Sequence, residues 1–287
     1  MTVTDPLQPH LDRWDLVPDG EAIATPSSQL LPVRSRGEPA MLKVALHEEE
    51  RRGAGVMAWW GGRGAARVLA RDGDALLMER IAGGRSLSDL ARADDAGDDE
   101  ATRLLCAVAA RLHDAEGRPP PPVDLPDLPT WFRALAPGAA RHGDRLPLLR
   151  AADAVARELL DDPRDVVVLH GDLHHGNVLD AARGGAGHVG TGGRGWLAID
   201  PKGIVGERGF DHANLFRNPD PTSAARPGRL ARQADVAAQA AGLDRDRLLR
   251  WVLALCGLSA AWHLEDGTDP GADLAVGALA LYELGRR

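Results

Sequence analysis

Two polar stretches of the chain contain the side chains best suited to chemistry. His170–Asn177 reads HGDLHHGN and places Asp172 five residues before Asn177, and the later stretch IDPKG contains Asp200. Carboxylate and amide oxygens are ligands that Mg²⁺ prefers, and a carboxylate can also orient a hydroxyl group that accepts a phosphoryl group. The pattern therefore predicts phosphoryl transfer from a nucleotide bound with magnesium.

Lysine is rare in this chain, because 34 residues are basic and only two of them are lysines. Lys43 lies in the apolar segment MLKV, and Glu48, Glu49 and Glu50 follow it. A lysine ammonium is a compact charge, whereas arginine presents a wide planar fork. We expect Lys43 to bind nucleotide phosphates and one of the three acids to hold its side chain. Glu50 is favoured among them, although Gly53 is the residue found where this acid would be expected by counting back from the downstream WWGG.

The surrounding sequence predicts a small mixed part followed by a larger helical part. Short apolar strands separated by turns fill most of the first eighty residues, with a single helix over 47–60. Beyond the glycine pair at 83–84, helical patterns dominate and are found at 101–117, 148–161, 228–242, 245–265 and 272–285. A buried strand precedes each polar stretch, and we expect the polar residues to meet at neighbouring strand ends. The glycine-rich residues 181–195 between the two stretches predict a mobile hairpin loop.

Composition limits the class of protein. The formal charge of −8 at pH 7 argues against binding to a nucleic-acid backbone, and 44% hydrophobic residues are typical of a globular chain. The apolar run at 251–262 is too short for a membrane span, and the N-terminus lacks the pattern of a signal peptide. Cys106 and Cys256 lie in apolar helical segments and are expected to be buried thiols. We expect a cytoplasmic protein without membrane or nucleic-acid partners, and leave its oligomeric state open.

Three longer stretches extend the pattern to a known family. LLMERIAGGRSL, HGDLHHGNVLD and WLAIDPKGIVGERGFDHANLFRNP resemble the aminoglycoside/hydroxyurea antibiotic resistance kinases, which include streptomycin 6-phosphotransferases and hydroxyurea phosphotransferases. HGDLHHGN matches the H-x-D-x-x-x-x-N catalytic loop of protein-kinase-like enzymes. The resemblance covers about residues 25–265 and implies an α+β, bilobal protein-kinase-like fold. Residues 1–82 would form the nucleotide-binding lobe, and 83–287 a helical lobe with the catalytic loop, metal site and acceptor site.

The resemblance also implies an activity and the residues that perform it. The enzyme would be an ATP- and Mg²⁺-dependent phosphotransferase acting on a small-molecule hydroxyl, with a streptomycin-type aminoglycoside or hydroxyurea as acceptor. Asp172 would be the catalytic base, Asn177 and Asp200 would hold Mg²⁺, and Lys43 would bind the α- and β-phosphates of ATP.

Further contacts to the nucleotide follow from the same resemblance. The backbone of Glu79 and Ile81, at the hinge, would contact the adenine. Ser27 and Ser28 would cover the phosphates with backbone N–H groups, because no G-x-G-x-x-G loop precedes the lysine strand. Lys202 has two interpretations, one as a cation that neutralises phosphate or substrate charge and the other as a structural partner of the neighbouring aspartate.

The remaining polar residues are less constrained by the pattern. His170 and Asp211 are expected to brace the catalytic loop. For the other four, contact with the acceptor and simple exposure to solvent stay open: His174, His175, Glu265 and Asp266.

Three other functions stay open at this stage. The acceptor could be a metabolic amino sugar or another hydroxylated metabolite. The histidines around Asp172 superficially resemble those of a dinuclear metallohydrolase. An inactive kinase-like binding module would keep the same residues without turnover.

Overall fold

The computed structural model describes residues 6–121, 124–182 and 195–286, which divide into two compact units. The described residues of the chain through Gly84, of Glu116–Asp124 and of Leu179–Gly203 form the first unit. The second unit is made of the remaining described residues. The predicted lobe boundaries, 1–82 and 83–287, stay a prediction.

Over the described residues, strands dominate the first part of the chain and helices the rest, which confirms the predicted α+β class. In chain order the elements are α1 (Gln8–Trp14), β1 (Leu16–Pro18), β2 (Ile23–Ala24), β3 (Ser28–Ser35), β4 (Glu38–Ala45), α2 (Glu48–Trp60), β5 (Val68–Asp72), β6 (Ala75–Glu79), α3 (Leu87–Ala93), α4 (Asp95–His113), α5 (Leu128–Trp131), α6 (Leu135–His142), α7 (Pro147–Asp161), β7 (Val166–Leu169), β8 (Val178–Asp180), β9 (Trp196–Ala198), β10 (Ile204–Glu207), α8 (Gly209–Ala213), α9 (Pro221–Ala224), α10 (Arg229–Ala241), α11 (Arg245–Glu265) and α12 (Gly271–Leu284). Short 3₁₀ helices lie at Phe132–Ala134 and Asn214–Arg217.

The first unit contains an antiparallel sheet in the order β1-β3-β4-β6-β5, with β2 also paired to β3. On β4, Ala40, Leu42 and Val44 are buried in an apolar cluster that includes Leu11 of α1. Successive side chains of a strand point to opposite faces. Lys43 therefore lies on the other face of the sheet, where α2 packs.

Helix α2 confirms the helix predicted over 47–60. Its first turn holds Glu48, Glu49 and Glu50, where the helix dipole favours negative charge, and Gly61 ends it with a left-handed φ of 60°. The prediction that this is the single helix of the first eighty residues is wrong, because α1 precedes it. That helix has seven residues and buries only Leu11 of them, too short a pattern to show periodicity.

The second unit is built around α11, whose residues are buried on nearly all sides by α6, α7, α8, α10 and α12. A helix that is apolar all round needs such complete cover. Cys256 on α11 and Cys106 on α4 are buried, and burial raises the pKa of each thiol to about 12, which confirms both as buried thiols. Within the described part of the chain, no helix combines the length and apolar character needed to cross a bilayer.

Two details of the sequence prediction need correction or completion. The helix predicted over 101–117 spans Asp95–His113, because the side chain of Asp94 accepts a hydrogen bond from Gly97 N at 2.7 Å and starts the helix earlier. The acidic residues before the apolar pattern therefore form its first turn. Most of the glycine-rich stretch at 181–195 lies outside the described residues.

Candidate active site

A cavity of about 310 Å³ lies within the first unit. One part of its lining is apolar, with Ile23, Leu30, Leu76, Met78 and Ile199; another is polar, with Thr25, Ser27, Ser28, Lys43, Glu50 and Asp200. An apolar wall suits a flat heteroaromatic ring, and a cation among hydroxyl groups suits phosphates. The cavity therefore has the lining that a nucleotide requires.

Lys43 is the central charged residue of the polar lining of the cavity. It is 8% exposed, and its Nζ donates to Glu50 Oε2 and to Asp200 Oδ1. A buried charge needs this kind of pairing, because an unpaired ammonium in the interior is costly. The three side chains come from β4, α2 and the segment after β9, so tertiary structure holds the lysine extended between two carboxylates.

Asp200 carries two marks of a specialised position. Its φ of 62° lies in the left-handed region, which aspartate tolerates better than most residues and which often occurs at functional sites. Burial by itself raises the pKa of the Asp200 carboxyl, but the charge of Lys43 and its hydrogen bond outweigh burial and keep that pKa below its ordinary value. The carboxylate is therefore ionised, as a metal ligand must be.

The three acids of α2 have separate partners. Glu50 is 4% exposed and pairs with Lys43, whereas Glu48 is exposed and pairs with Arg51 at 3.0 Å. Lys202 Nζ lies 2.8 Å from Glu49 Oε1 and 3.6 Å from Glu50 Oε1. The structure thus pairs Glu50 with Lys43, as expected, and brings the two lysines of the chain to one carboxylate. The carboxylates of α2 are close partners of Lys202.

Gly53 explains why α2 can approach the segment that carries Asp200. A Cβ built at Gly53 would lie 2.0 Å from the backbone oxygen of Pro201. Gly53 follows Glu50 by three residues and shares its helix face. The close approach of the two backbones therefore requires glycine at position 53. This requirement is compatible with Glu50 as the acid that pairs with Lys43.

Gly53→Ala is expected to destabilise the protein by about 1–3 kcal/mol, because backbone must move to admit the methyl group. The clash outweighs the gain of up to about 1 kcal/mol that alanine brings to a helix. Urea denaturation measures the change. Gly84→Ala is the matched control, since a Cβ at Gly84 meets nothing within 4 Å. Equal midpoints for the two variants would contradict the packing argument.

The turn between β2 and β3 takes the place of the G-x-G-x-x-G loop, which this chain lacks before Lys43. Ser28 N donates to Thr25 Oγ1 at 2.9 Å, and Thr25 N donates to Ser28 O at 2.9 Å. Leu46 N donates to Ser27 O at 2.8 Å, which ties the turn to the end of β4. The N–H of Ser28 is therefore bonded within the turn. Both serines line the cavity, and their cover of the phosphates stays a prediction. Thr25, which no sequence motif indicates, also lines the cavity.

The predicted adenine contacts lie at and just beyond the end of β6. Glu79 N donates to Arg67 O at 3.0 Å, and the Glu79 side chain accepts a hydrogen bond from Arg67 N. Ile81 follows in a segment without regular structure. Their contacts to adenine stay a prediction.

The loop His170–Asn177 of the second unit is held through its backbone. Asp211 accepts hydrogen bonds from His170 N at 2.8 Å and Gly171 N at 2.7 Å, and His113 Nε2 lies 2.8 Å from it. Burial by itself raises the pKa of Asp211, but the hydrogen bond from His113 and the nearby charges keep that pKa below its ordinary value. The fully buried His170 accepts the N–H of Asp172 at 3.2 Å. Asp211 and His170 therefore brace the loop, as predicted.

Two amide groups hold the carboxylate of Asp172. Asn214 Nδ2 donates to Oδ1 at 2.8 Å, and Asn177 Nδ2 lies 3.3 Å from Oδ2 and 2.9 Å from the Asp172 backbone oxygen. The amide nitrogen of Asn177 thus faces Asp172, which leaves its oxygen as the donor suited to a hard cation. Asp172 and Asn177 lie together in the second unit, while Asp200 belongs to the first.

His174 and His175, the two adjacent histidines of the loop, differ in exposure. His174 Nδ1 accepts the N–H of Gly176 at 3.0 Å, and its Nε2 lies 3.8 Å from Asp172 Oδ2. His175 is 3% exposed, and burial lowers its pKa to about 3, so its ring is neutral. Direct contact with an acceptor therefore fits His174 better than His175.

The carboxylates at the end of α11 are exposed. Glu265 is its last residue, and Asp266 caps the helix with its N–H bonded to Trp262 O at 2.9 Å. Exposure is compatible with either interpretation of these residues, so an acceptor contact stays a prediction. In the described part of the chain, no group of three or more His, Cys, Asp or Glu residues could hold a metal in the manner of a metallohydrolase.

Three residues of the site do not follow from the sequence pattern: His113, Thr25 and Asn214. The first supports Asp211, the second shapes the turn beside the cavity, and the third holds Asp172. Asn214 does lie in the family-like stretch GFDHANLFRNP, three residues after Asp211. Its contact joins positions 42 residues apart, so spacing within a motif could not indicate it.

Comparison with known proteins adds to the geometry. Residues 13–267 match the family model described as aminoglycoside/hydroxyurea antibiotic resistance kinase. The chain is 48% identical to streptomycin 3''-kinase of Klebsiella pneumoniae over 94% of this chain and 98% of that protein. It is 36% identical to streptomycin 6-kinase of Streptomyces griseus over 90% of this chain and 81% of that one.

A solved structure gives the fold. A thermostable mutant of aminoglycoside phosphotransferase APH(4)-Ia, in a ternary complex with ADP and hygromycin B, aligns with a TM-score of 0.61 and 18% identity. The alignment covers 99% of this chain and all of that one. This similarity confirms the predicted protein-kinase-like fold.

Proposed function

This chain belongs to the aminoglycoside/hydroxyurea antibiotic resistance kinase family and is a small-molecule kinase, and on that premise we propose that it uses ATP and Mg²⁺ to phosphorylate streptomycin. The observation that carries the proposal is the 48% identity to a streptomycin 3''-kinase over nearly the whole of both chains. The hydroxyl at the 3'' position is therefore the favoured acceptor. The formal charge of −8 would attract a cationic aminoglycoside. We expect the enzyme to act in the cytoplasm, where ATP is available.

Each predicted residue has a role in the proposed reaction. Lys43 would bind the α- and β-phosphates, with Glu50 holding its side chain and Lys202 adding positive charge nearby. Asp172 would accept the proton of the attacking hydroxyl group. Glu79 and Ile81 would contact adenine through their backbones, and Ser27 and Ser28 would cover the phosphates.

The donor groups fit magnesium. Asp200 provides an ionised carboxylate and Asn177 an amide oxygen, both of the hard type that this ion prefers. When bound, the ion would neutralise charge on the phosphates. The acceptor would lie against His174 and the exposed carboxylates Glu265 and Asp266.

A coupled assay of ATP consumption tests the function. Streptomycin, other aminoglycosides, hydroxyurea and amino sugars are offered separately, and phosphorus NMR of the product identifies the modified hydroxyl. We expect turnover with streptomycin and a 3''-phosphate product. Turnover with hydroxyurea or an amino sugar, and none with streptomycin, would overturn the proposed acceptor.

Glu50→Gln is expected to lower kcat/KM for ATP by about 10–100-fold. A hydrogen bond to a charged group is worth about 1.5–3 kcal/mol, and the variant loses the charge that holds Lys43. Glu48→Gln is the matched control, because Glu48 is exposed and pairs with Arg51. If the two variants lost activity equally, Glu50 would have no special role at the lysine.

A further inference from the structure

The carboxylate of Asp172 is anchored on one side by a residue outside the catalytic loop. Asn214 Nδ2 lies 2.8 Å from Oδ1, the shorter of the two amide contacts to this carboxylate. Asn214 is 9% exposed and opens the 3₁₀ helix that follows α8. Its position is restrained in turn, since Asn218 Nδ2 donates to the Asn214 backbone oxygen at 2.9 Å.

One segment thus supports the loop twice. Asp211 on α8 holds the backbone at His170 and Gly171, and Asn214, three residues later, holds the side chain of Asp172. An aspartate side chain can rotate about two bonds, and a fixed backbone does not by itself orient the carboxylate. The amide of Asn214 supplies the missing restraint.

The two oxygens of Asp172 are therefore unequal. Oδ1 accepts the shorter bond from Asn214, whereas Oδ2 has Asn177 Nδ2 at 3.3 Å and His174 Nε2 at 3.8 Å. Asn177 would also have to serve Mg²⁺ with its amide oxygen. Asn214 has no such second duty, so it can orient the carboxylate throughout the reaction.

We propose that Asn214 is a positioning residue that anchors Asp172 Oδ1 and so directs Oδ2 to the acceptor hydroxyl. The inference rests on the proposed function. In the step concerned, the hydroxyl oxygen forms a bond to the γ-phosphorus, and the bond from that phosphorus to ADP breaks. The hydroxyl proton goes to Asp172 Oδ2. Misplacement of a catalytic group by about 1 Å can cost on the order of 10²-fold in rate.

Asn214→Leu keeps a similar side-chain volume and removes the donor, and Asn214→Ala is the second variant in case leucine does not fit. Steady-state kinetics with ATP and streptomycin should show kcat reduced about 10–100-fold. KM for ATP should stay within about twofold, because Asn214 holds the base and not the nucleotide. Unchanged kcat in a folded variant would overturn the inference.

A double-mutant cycle separates positioning from general stability. In the Asp172→Asn background, Asn214→Leu should change kcat by less than about twofold, since no carboxylate is left to orient. Full additivity of the two substitutions would overturn the inference. Thr102→Val is the matched control, because it removes another buried hydrogen bond of the same unit, from Thr102 to Gln233, and should leave kcat unchanged.

The wild-type assay distinguishes failure of the proposed function from failure of this inference. If wild type transfers phosphate to none of the offered acceptors, the proposed function is wrong. In that case a crystal structure of the Asn214→Ala variant still tests the positioning role of Asn214. Without the Asn214 amide, the Asp172 carboxylate should turn away from the orientation it has in the wild type. A carboxylate that keeps its orientation would overturn the inference.

Discussion

Asp172→Asn is expected to lower kcat for phosphoryl transfer by about 10²–10⁴-fold while ATP binding stays nearly unchanged. A positioned general base contributes a factor of this size, and an amide cannot take up the proton of the attacking hydroxyl. The substitution keeps the size of the side chain, and an amide oxygen can still accept the hydrogen bond from Asn214. Steady-state kinetics and calorimetric titration with ADP measure the two effects separately.

Asp144→Asn is the control for this first prediction. Asp144 has an exposed side chain paired with Arg150, so loss of its charge should not affect transfer. Wild-type transfer by Asp172→Asn would show that Asp172 is not the base. A parallel loss of ADP binding would mean that the substitution disturbed the nucleotide site instead of the proton transfer.

Lys43→Arg is expected to reduce kcat/KM for ATP on the order of 10²-fold or more, with a much smaller change in thermal stability. The ammonium of Lys43 fits between Glu50 and Asp200 with a side chain that is 10% exposed. A planar guanidinium is too wide to take the same place between two carboxylates and present the same charge to phosphates. A guanidinium that stays paired with the two carboxylates keeps most of that stability but presents its charge to the phosphates in a different place, and misplacement by about 1 Å can cost on the order of 10²-fold in rate.

The reverse exchange on the surface provides the control for Lys43→Arg. Arg51 on α2 pairs with Glu48 and with Asp74 at half-exposed positions, so Arg51→Lys should leave ATP use unchanged. ATP titration of initial rates and a thermal melt of each variant give the comparison. If Lys43→Arg reduced activity only in proportion to its loss of stability, a direct role of Lys43 at the phosphates would be refuted.

Local spacing explains why much of the site could be predicted from the sequence. Asp172 and Asn177 belong to one short loop, and Lys43 stands in a strand pattern that leads to an acidic helix start. Such relations extend over a few residues and follow from strand and helix periods. The resemblance to the kinase family then assigned a role to each group.

Contacts between side chains of distant segments could be identified only from the tertiary structure. Glu48, Glu49 and Glu50 are consecutive and point in three directions, about 100° apart around the helix. Only the way α2 packs on its neighbours decides which acid meets Lys43, and the close approach of Gly53 to Pro201 sets that packing. The partners of Lys202 on α2 depend on the same packing.

The sequence by itself determined the chemical groups, their local spacing and the family, and it placed one of its two lysines in the predicted strand MLKV and the other two residues after Asp200. The tertiary structure decided how those groups are held: both lysines at Glu50, Asp211 on the loop backbone, and Asn214 on the carboxylate of Asp172. The physical reason is that a side chain's rotamer and partners depend on packing between segments far apart in the chain. No period of a single helix or strand carries that information.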